Sequence, residues 1–190
     1  METAIIITTV LLLLFSVLAL YDGFYLHILK YKLHNNSESK TEHYTHTIRA
    51  IFFPLILYFL FSNQDCNISF VIGLIIVTLD ILVMAIDAFI EKDSRKFMGG
   101  LPRWEYILHL FVNGFHFASI AVFLSIKLHY ENNQMAILSN IVQYQNYKIF
   151  HTIVINLLPG AILIALVHLL LCIPKTRTHW NNLRNKIQCC

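Results

Sequence analysis

The sequence predicts an all-α integral membrane protein with five transmembrane helices, and three observations predict it. Hydrophobic residues make up 57% of the 190-residue chain and charged residues 13%, and the mean hydropathy of +0.61 is that of a membrane protein. Five apolar runs, at about 4–29, 47–61, 69–90, 104–128 and 150–173, are close to the roughly 20 residues that cross about 30 Å of hydrocarbon. Of the 14 lysines and arginines, all but Lys127 and Lys148 fall on one side of these runs. That bias puts the N-terminus outside and the C-terminus in the cytoplasm. Residues 1–175 then form a single transmembrane domain and 176–190 a cytoplasmic polar tail. The expected setting is a bacterial inner membrane or a eukaryotic internal membrane, with the lipid bilayer as partner. A net charge of +3 gives no reason to expect nucleic acid.

The first run opens with Met1-Glu2-Thr3 in place of a basic segment and has no A-x-A-like cleavage site, so it reads as a retained span. Tyr21, Tyr25 and Tyr31 at its far end suit a membrane interface. The second run is short and is expected to begin earlier, near His43, with a kink at Pro54. Cys66, Cys172, Cys189 and Cys190 have neither metal spacing nor a disulfide framework, and the terminal pair reads as an inert tail. Asn35 and Asn67 match the glycosylation pattern, but Asn35 falls on the expected cytoplasmic side, so neither carries weight.

The third and fourth runs carry the chemistry. Asp80, Asp87 and Glu91 lie at i, i+7 and i+11, within roughly 20° of one line at about 100° per residue. Glu105, His109 and His116, at i, i+4 and i+11, also share a line. Two rows of acids and imidazoles on otherwise lipid-facing helices are expected to face each other. Asp80 and His116 lie deepest, where ionisable groups are costly and signal function.

A faint repeat extends the pattern. Asp22, followed by Glu42-x-x-x-His46, matches Asp87, followed by Glu105-x-x-x-His109, each on a helix pair running in and back out. Helices 1–4 are therefore expected to form a four-helix bundle from two similar hairpins. Its expected metal ligands are Asp22, Glu42, His46, Asp87, Glu105 and His109. In chemistry this set resembles that of di-iron helical bundles, although there the Glu–His spacing is i, i+3. His27, His43 and Glu91 are expected as further ligands or as partners that fix imidazole tautomers, and Arg49 or Arg95 as the holder of an anionic head group. Lys92, Asp93, Arg95 and Lys96 otherwise read as a solvated helix end. His129, His151, His168 and His179 lack acidic companions and read as packing or surface residues, although His168 could face the bundle.

No G-x-S-x-G, P-loop, G-x-G-x-x-G, H-E-x-x-H or HxxHH-type box occurs. The reading is a membrane-embedded metalloprotein with a carboxylate and histidine site, iron before zinc, acting as an oxidoreductase on a lipid or other hydrophobic substrate with a redox partner. The alternatives are a proton or ion transporter working through the intramembrane Asp and His residues, a bis-histidine haem protein and a zinc-dependent hydrolase.

Overall fold

In the computed structural model, which describes residues 1–64, 66–131, 133–138 and 141–188, helix accounts for nearly the whole chain. Helix α1 (Glu2–Ala19) continues as a π-helix over Leu20–Lys30. Helix α2 (Lys40–Ile56) continues as a π-helical turn over Leu57–Ser62, three residues beyond Pro54. Then come α3 (Asn67–Ser94), α4 (Arg103–Lys127), a hairpin of β1 (Leu128–Glu131) and β2 (Gln134–Ile137), α5 (Gln145–Cys172) and α6 (Pro174–Gln188). Five helical stretches, Glu2–Lys30, Lys40–Ser62, Asn67–Ser94, Arg103–Lys127 and Gln145–Cys172, are long and apolar enough to cross a membrane. Cys189 and Cys190 lie outside the described residues.

The residue choice explains why these stretches are helical. Their apolar runs close all backbone hydrogen bonds within the segment, and the hydroxyls of Thr8, Thr9 and Ser16 donate back to the carbonyls four residues earlier. Few polar groups are left for an apolar surrounding to strand. Much of the apolar surface faces outward, with Val17, Ile75, Leu82 and Phe111 all more than a third exposed. That surface is far too large for water and suits hydrocarbon.

Helix α1 packs along α4, and α2 packs along α3. Helix α5 closes the arrangement against both α1 and α2, so the fifth span belongs to the same packed body. At the end bearing the β-hairpin the seal is aromatic. Phe61 stands edge-on to Phe123 and Phe150, with ring centres 4.9 and 5.7 Å away, joining α2, α4 and α5. The opposite end holds the α1–α2 and α3–α4 connections and most of the buried polar groups.

Two local features decide what that end contains. The second span begins at Lys40, which places Glu42 and His43 in its first turn as buried residues. The α3–α4 connection turns through Gly99 and Gly100 at φ of 83° and 104°, a region side-chain-bearing residues rarely adopt. The Gly100 amide donates to the Arg95 carbonyl at 3.0 Å, and this tight turn directs the Arg95 side chain into the bundle. Arg95 is fully buried, which corrects its reading as part of a solvated helix end. The exposed Lys96–Asp93 pair beside it does fit that reading.

A close helix approach lies at Gly73 of α3, where an added Cβ would lie 2.9 Å from the Leu60 Cβ and 3.0 Å from its Cα. Backbone cannot retreat as a flexible side chain can. Gly73→Val is expected to destabilise the protein by about 1–3 kcal/mol, as overpacking does. Thermal unfolding in detergent checks this; an unchanged midpoint would show that the two segments are not in contact.

Candidate metal centre

Each of the first four spans contributes one pair of side chains to a shared site. From α2 come Glu42 and His46, from α3 Asp87 and Glu91, and from α4 Glu105 and His109, each pair one α-helical turn apart. The first span contributes Asp22 and His27, five residues apart. In α geometry five residues turn through about 500° and leave such a pair roughly 140° apart. Here the chain is wound as a π-helix, shown by the Tyr31 amide bonding the Leu26 carbonyl at 2.8 Å, and five residues make one turn. The π winding therefore puts Asp22 and His27 on one face, which α-helical periodicity does not reveal.

The donors meet across the helices in a reciprocal pattern. Asp22 lies 3.1 Å from His109 Nε2, and Asp87 lies 3.4 Å from His46 Nε2. The aspartate of each hairpin thus faces the histidine of the other. His27 Nε2 sits between these pairs, 3.4 Å from Asp22 and 3.9 Å from Glu105. Two sets of donor atoms lie mutually within 4.8 Å, one from Asp22, His27, Glu105 and His109 and one from His27, Glu42 and His46. His27, expected only as an accessory, is common to both. Asp87 and Glu91 lie just outside these sets, held by Thr45 and His109.

The donor set suits a metal ion on two further counts. His109 faces a carboxylate from each nitrogen, Asp22 at 3.1 Å and Glu91 at 2.6 Å. If both carboxylates are ionised they only accept, and that ring then either carries both protons or exchanges one for a metal ion. His27 Nδ1 is buried without a hydrogen bond, and His46 Nε2 meets only the carboxylates of Asp87 at 3.4 Å and Glu42 at 3.8 Å. Unmet donors and acceptors of this kind are costly in a dry interior unless something else binds them.

Arg95 is the one permanent cation inside the cluster. Its Nη2 lies 2.6 Å from Glu42, 3.0 Å from Glu105 and 3.0 Å from His27, and Ser94 adds a hydrogen bond to Glu42. Tyr31 closes the site from the loop, its ring 5.3 Å from the guanidinium. Burial, and then the Glu105 carboxylate, hold the Tyr31 phenol above its ordinary range. Five carboxylates, Asp22, Glu42, Asp87, Glu91 and Glu105, lie around this guanidinium, which contacts two of them, Glu42 and Glu105. With neutral imidazoles the formal charge is −4, equal and opposite to that of two divalent cations. A buried deficit of that size has to be met by protons or metal ions.

The deeper residues form a separate network. Asp80 accepts from Arg49 at 3.2 Å and pairs with His116 at 3.1 Å, while Arg49 also donates to Asn113 at 2.8 Å. Arg49 and Arg95 are both engaged by carboxylates, so neither is free to hold an anionic head group as expected. His43 points away from the cluster into a run of buried imidazoles, with ring centres 5.7 Å from His34 and 5.5 Å from His168. Burial lowers the pKa of His34 to about 4. His168, which the sequence allows to face the bundle, is buried beside Gly23, while no sequence motif includes His34. Only the fold brings the three together, since they come from a loop and two helices far apart in sequence.

Arg95→Met removes the cation and leaves Glu42 and Glu105 buried without it. The expected loss is about 3–5 kcal/mol of stability. Thermal unfolding in detergent should also show added Mn²⁺ recovering part of that loss, because a metal ion replaces the missing charge. Wild-type stability in this variant would mean that the guanidinium does not neutralise the site. Comparison with protein-family models, with curated proteins and with solved structures finds no match for this chain.

Proposed function

We propose that this protein is a multi-pass membrane metalloprotein, N-terminus outside, whose cluster near the cytoplasmic face binds one or two metal ions and serves as an oxidoreductase centre for a hydrophobic substrate. The observation that carries this reading is the convergence of acids and imidazoles from the first span, α2 and α4 on His27. Orientation rests on the lysine and arginine bias of the sequence. The reciprocal Asp22–His109 and Asp87–His46 pairs support treating the two hairpins as halves of one site.

Asp22, His27, Glu105 and His109 would hold one ion, and Glu42 and His46, with Asp87 close by, a second. Five carboxylates to three imidazoles is a hard-donor set that favours iron, while zinc accepts the same ligand types. When bound, such a metal supplies redox or Lewis-acid chemistry at an open coordination position. The protein's own part is to orient the imidazoles through Asp22, Asp87 and Glu91, to hold Glu42 and Glu105 with Arg95, and to keep the site dry. A bis-histidine haem fits less well. The rings of His27 and His46 stand nearly perpendicular with centres 4.1 Å apart, which leaves no room for a porphyrin between them.

Elemental analysis of protein purified from cells supplied with iron, zinc and manganese tests the proposal. Between one and two ions per chain are expected, with Glu42→Ala and Glu105→Ala each lowering the content and His27→Ala lowering it most. Metal at background level in the wild type, or content that none of the three variants alters, would contradict the proposal.

A further inference from the structure

Beside the cluster lies a cavity of about 440 Å³, within the range of small-molecule sites. Phe15, Phe53, Val112, Leu157 and Ile164 give it apolar walls. Small residues of three helices, among them Ala19, Ala50 and Gly160, leave it open. Asp22 and His46 line one part of it, so the cavity touches the metal-centre donors directly. Two of its lining residues, Leu20 and Leu163, are 51% and 62% exposed, which puts its mouth between α1 and α5 on the apolar outer face.

The charges on its wall restrict what it can accept. Arg49 is the only lysine or arginine among the described residues that line it, and Asp80 and Asn113 already engage that guanidinium. Asp22 and Asp80 are also on the wall. An anionic head group would meet two carboxylates and no free cation, and would have to be desolvated to do so. A neutral hydroxyl or carbonyl carries no such penalty, and the apolar walls suit its chain.

We infer that this cavity is a substrate chamber for an uncharged single-chain amphiphile, of the long-chain alcohol or aldehyde class, which enters from lipid between α1 and α5 and presents its polar end to Asp22 and His46. The inference deepens the metal-centre reading and rests on it for the purpose of binding there, but the binding itself can be tested independently.

The probe is dodecanol bearing a diazirine and an alkyne, compared with the matching dodecanoic acid, on full-length protein in nanodiscs. Cross-links are mapped by peptide mass spectrometry, and bound metal is measured on the same samples. Gly160→Leu adds a side chain at the chamber wall, where a Cβ meets nothing within 4 Å, and its helix content and thermal midpoint are compared with wild type on the same samples. The alcohol should label α1 and α5 around Leu20 and Leu163. Gly160→Leu should lower that labelling by at least about tenfold, the scale on which pockets sense an added methylene. Equal or stronger labelling by the acid, or alcohol labelling that Gly160→Leu leaves unchanged, would overturn the inference. Metal at full content with no chamber labelling would sink the chamber and leave the metal centre standing. Labelling as expected in protein without metal would uphold the chamber and remove the metal centre.

Discussion

Uncompensated negative charge in a dry interior is the constraint on which the rest of this structure depends. Five carboxylates are drawn together at one end of the helical body, and among the described residues Arg95 is the permanent positive charge that contacts two of them. The guanidinium reaches Glu42 of α2, Glu105 of α4 and His27 of the first span, while its backbone ends α3. One residue therefore ties together four helices. It cannot balance the site alone, and what it leaves unmet could be met by protons or by metal ions. The geometry of His109, with a carboxylate at each nitrogen, expresses the same imbalance on a single side chain.

The arrangement also separates functions by depth. The cluster occupies the end where the loops lie. The Arg49–Asp80–His116–Asn113 network is internally neutral and lies on the wall of the cavity further in. Because the deep charges are paired with each other, they can face an apolar cavity without demanding a charged ligand. The cavity joins the two regions, with Asp22 and His46 in reach of whatever occupies it. Small residues on α1, α2 and α5 make the space, which explains why the fifth span packs into the body even though it supplies no donor to either ligand set.

Much of the fold was legible in the sequence because hydropathy reports directly on length and burial in lipid. The acid and imidazole rows of α3 and α4 were legible for the same kind of reason, since both helices keep the α period through Asp80, Asp87, Glu91, Glu105, His109 and His116. The start of α2 was harder to see, because Glu42 and His43 are polar residues inside a span and lower its apparent hydropathy. The central place of His27 was not visible for a geometric reason. A π-helix changes which residues share a face, and hydrophobic spacing alone does not announce one. Arg95 was misjudged because a charged residue at a helix end is usually solvated, and its inward turn depends on Gly99 and Gly100. His34 and His168 meet His43 only through tertiary packing, and no local pattern encodes that.

X-ray absorption on the purified wild-type protein and on His27→Ala tests the central claim most directly, because it reports both the element and its ligands. The account predicts an iron or zinc edge in the wild type, with only nitrogen and oxygen neighbours at about 2.0–2.2 Å and imidazole backscattering. Both features should weaken in His27→Ala. A spectrum with no metal edge above background, or one dominated by sulfur at about 2.3 Å, would contradict it.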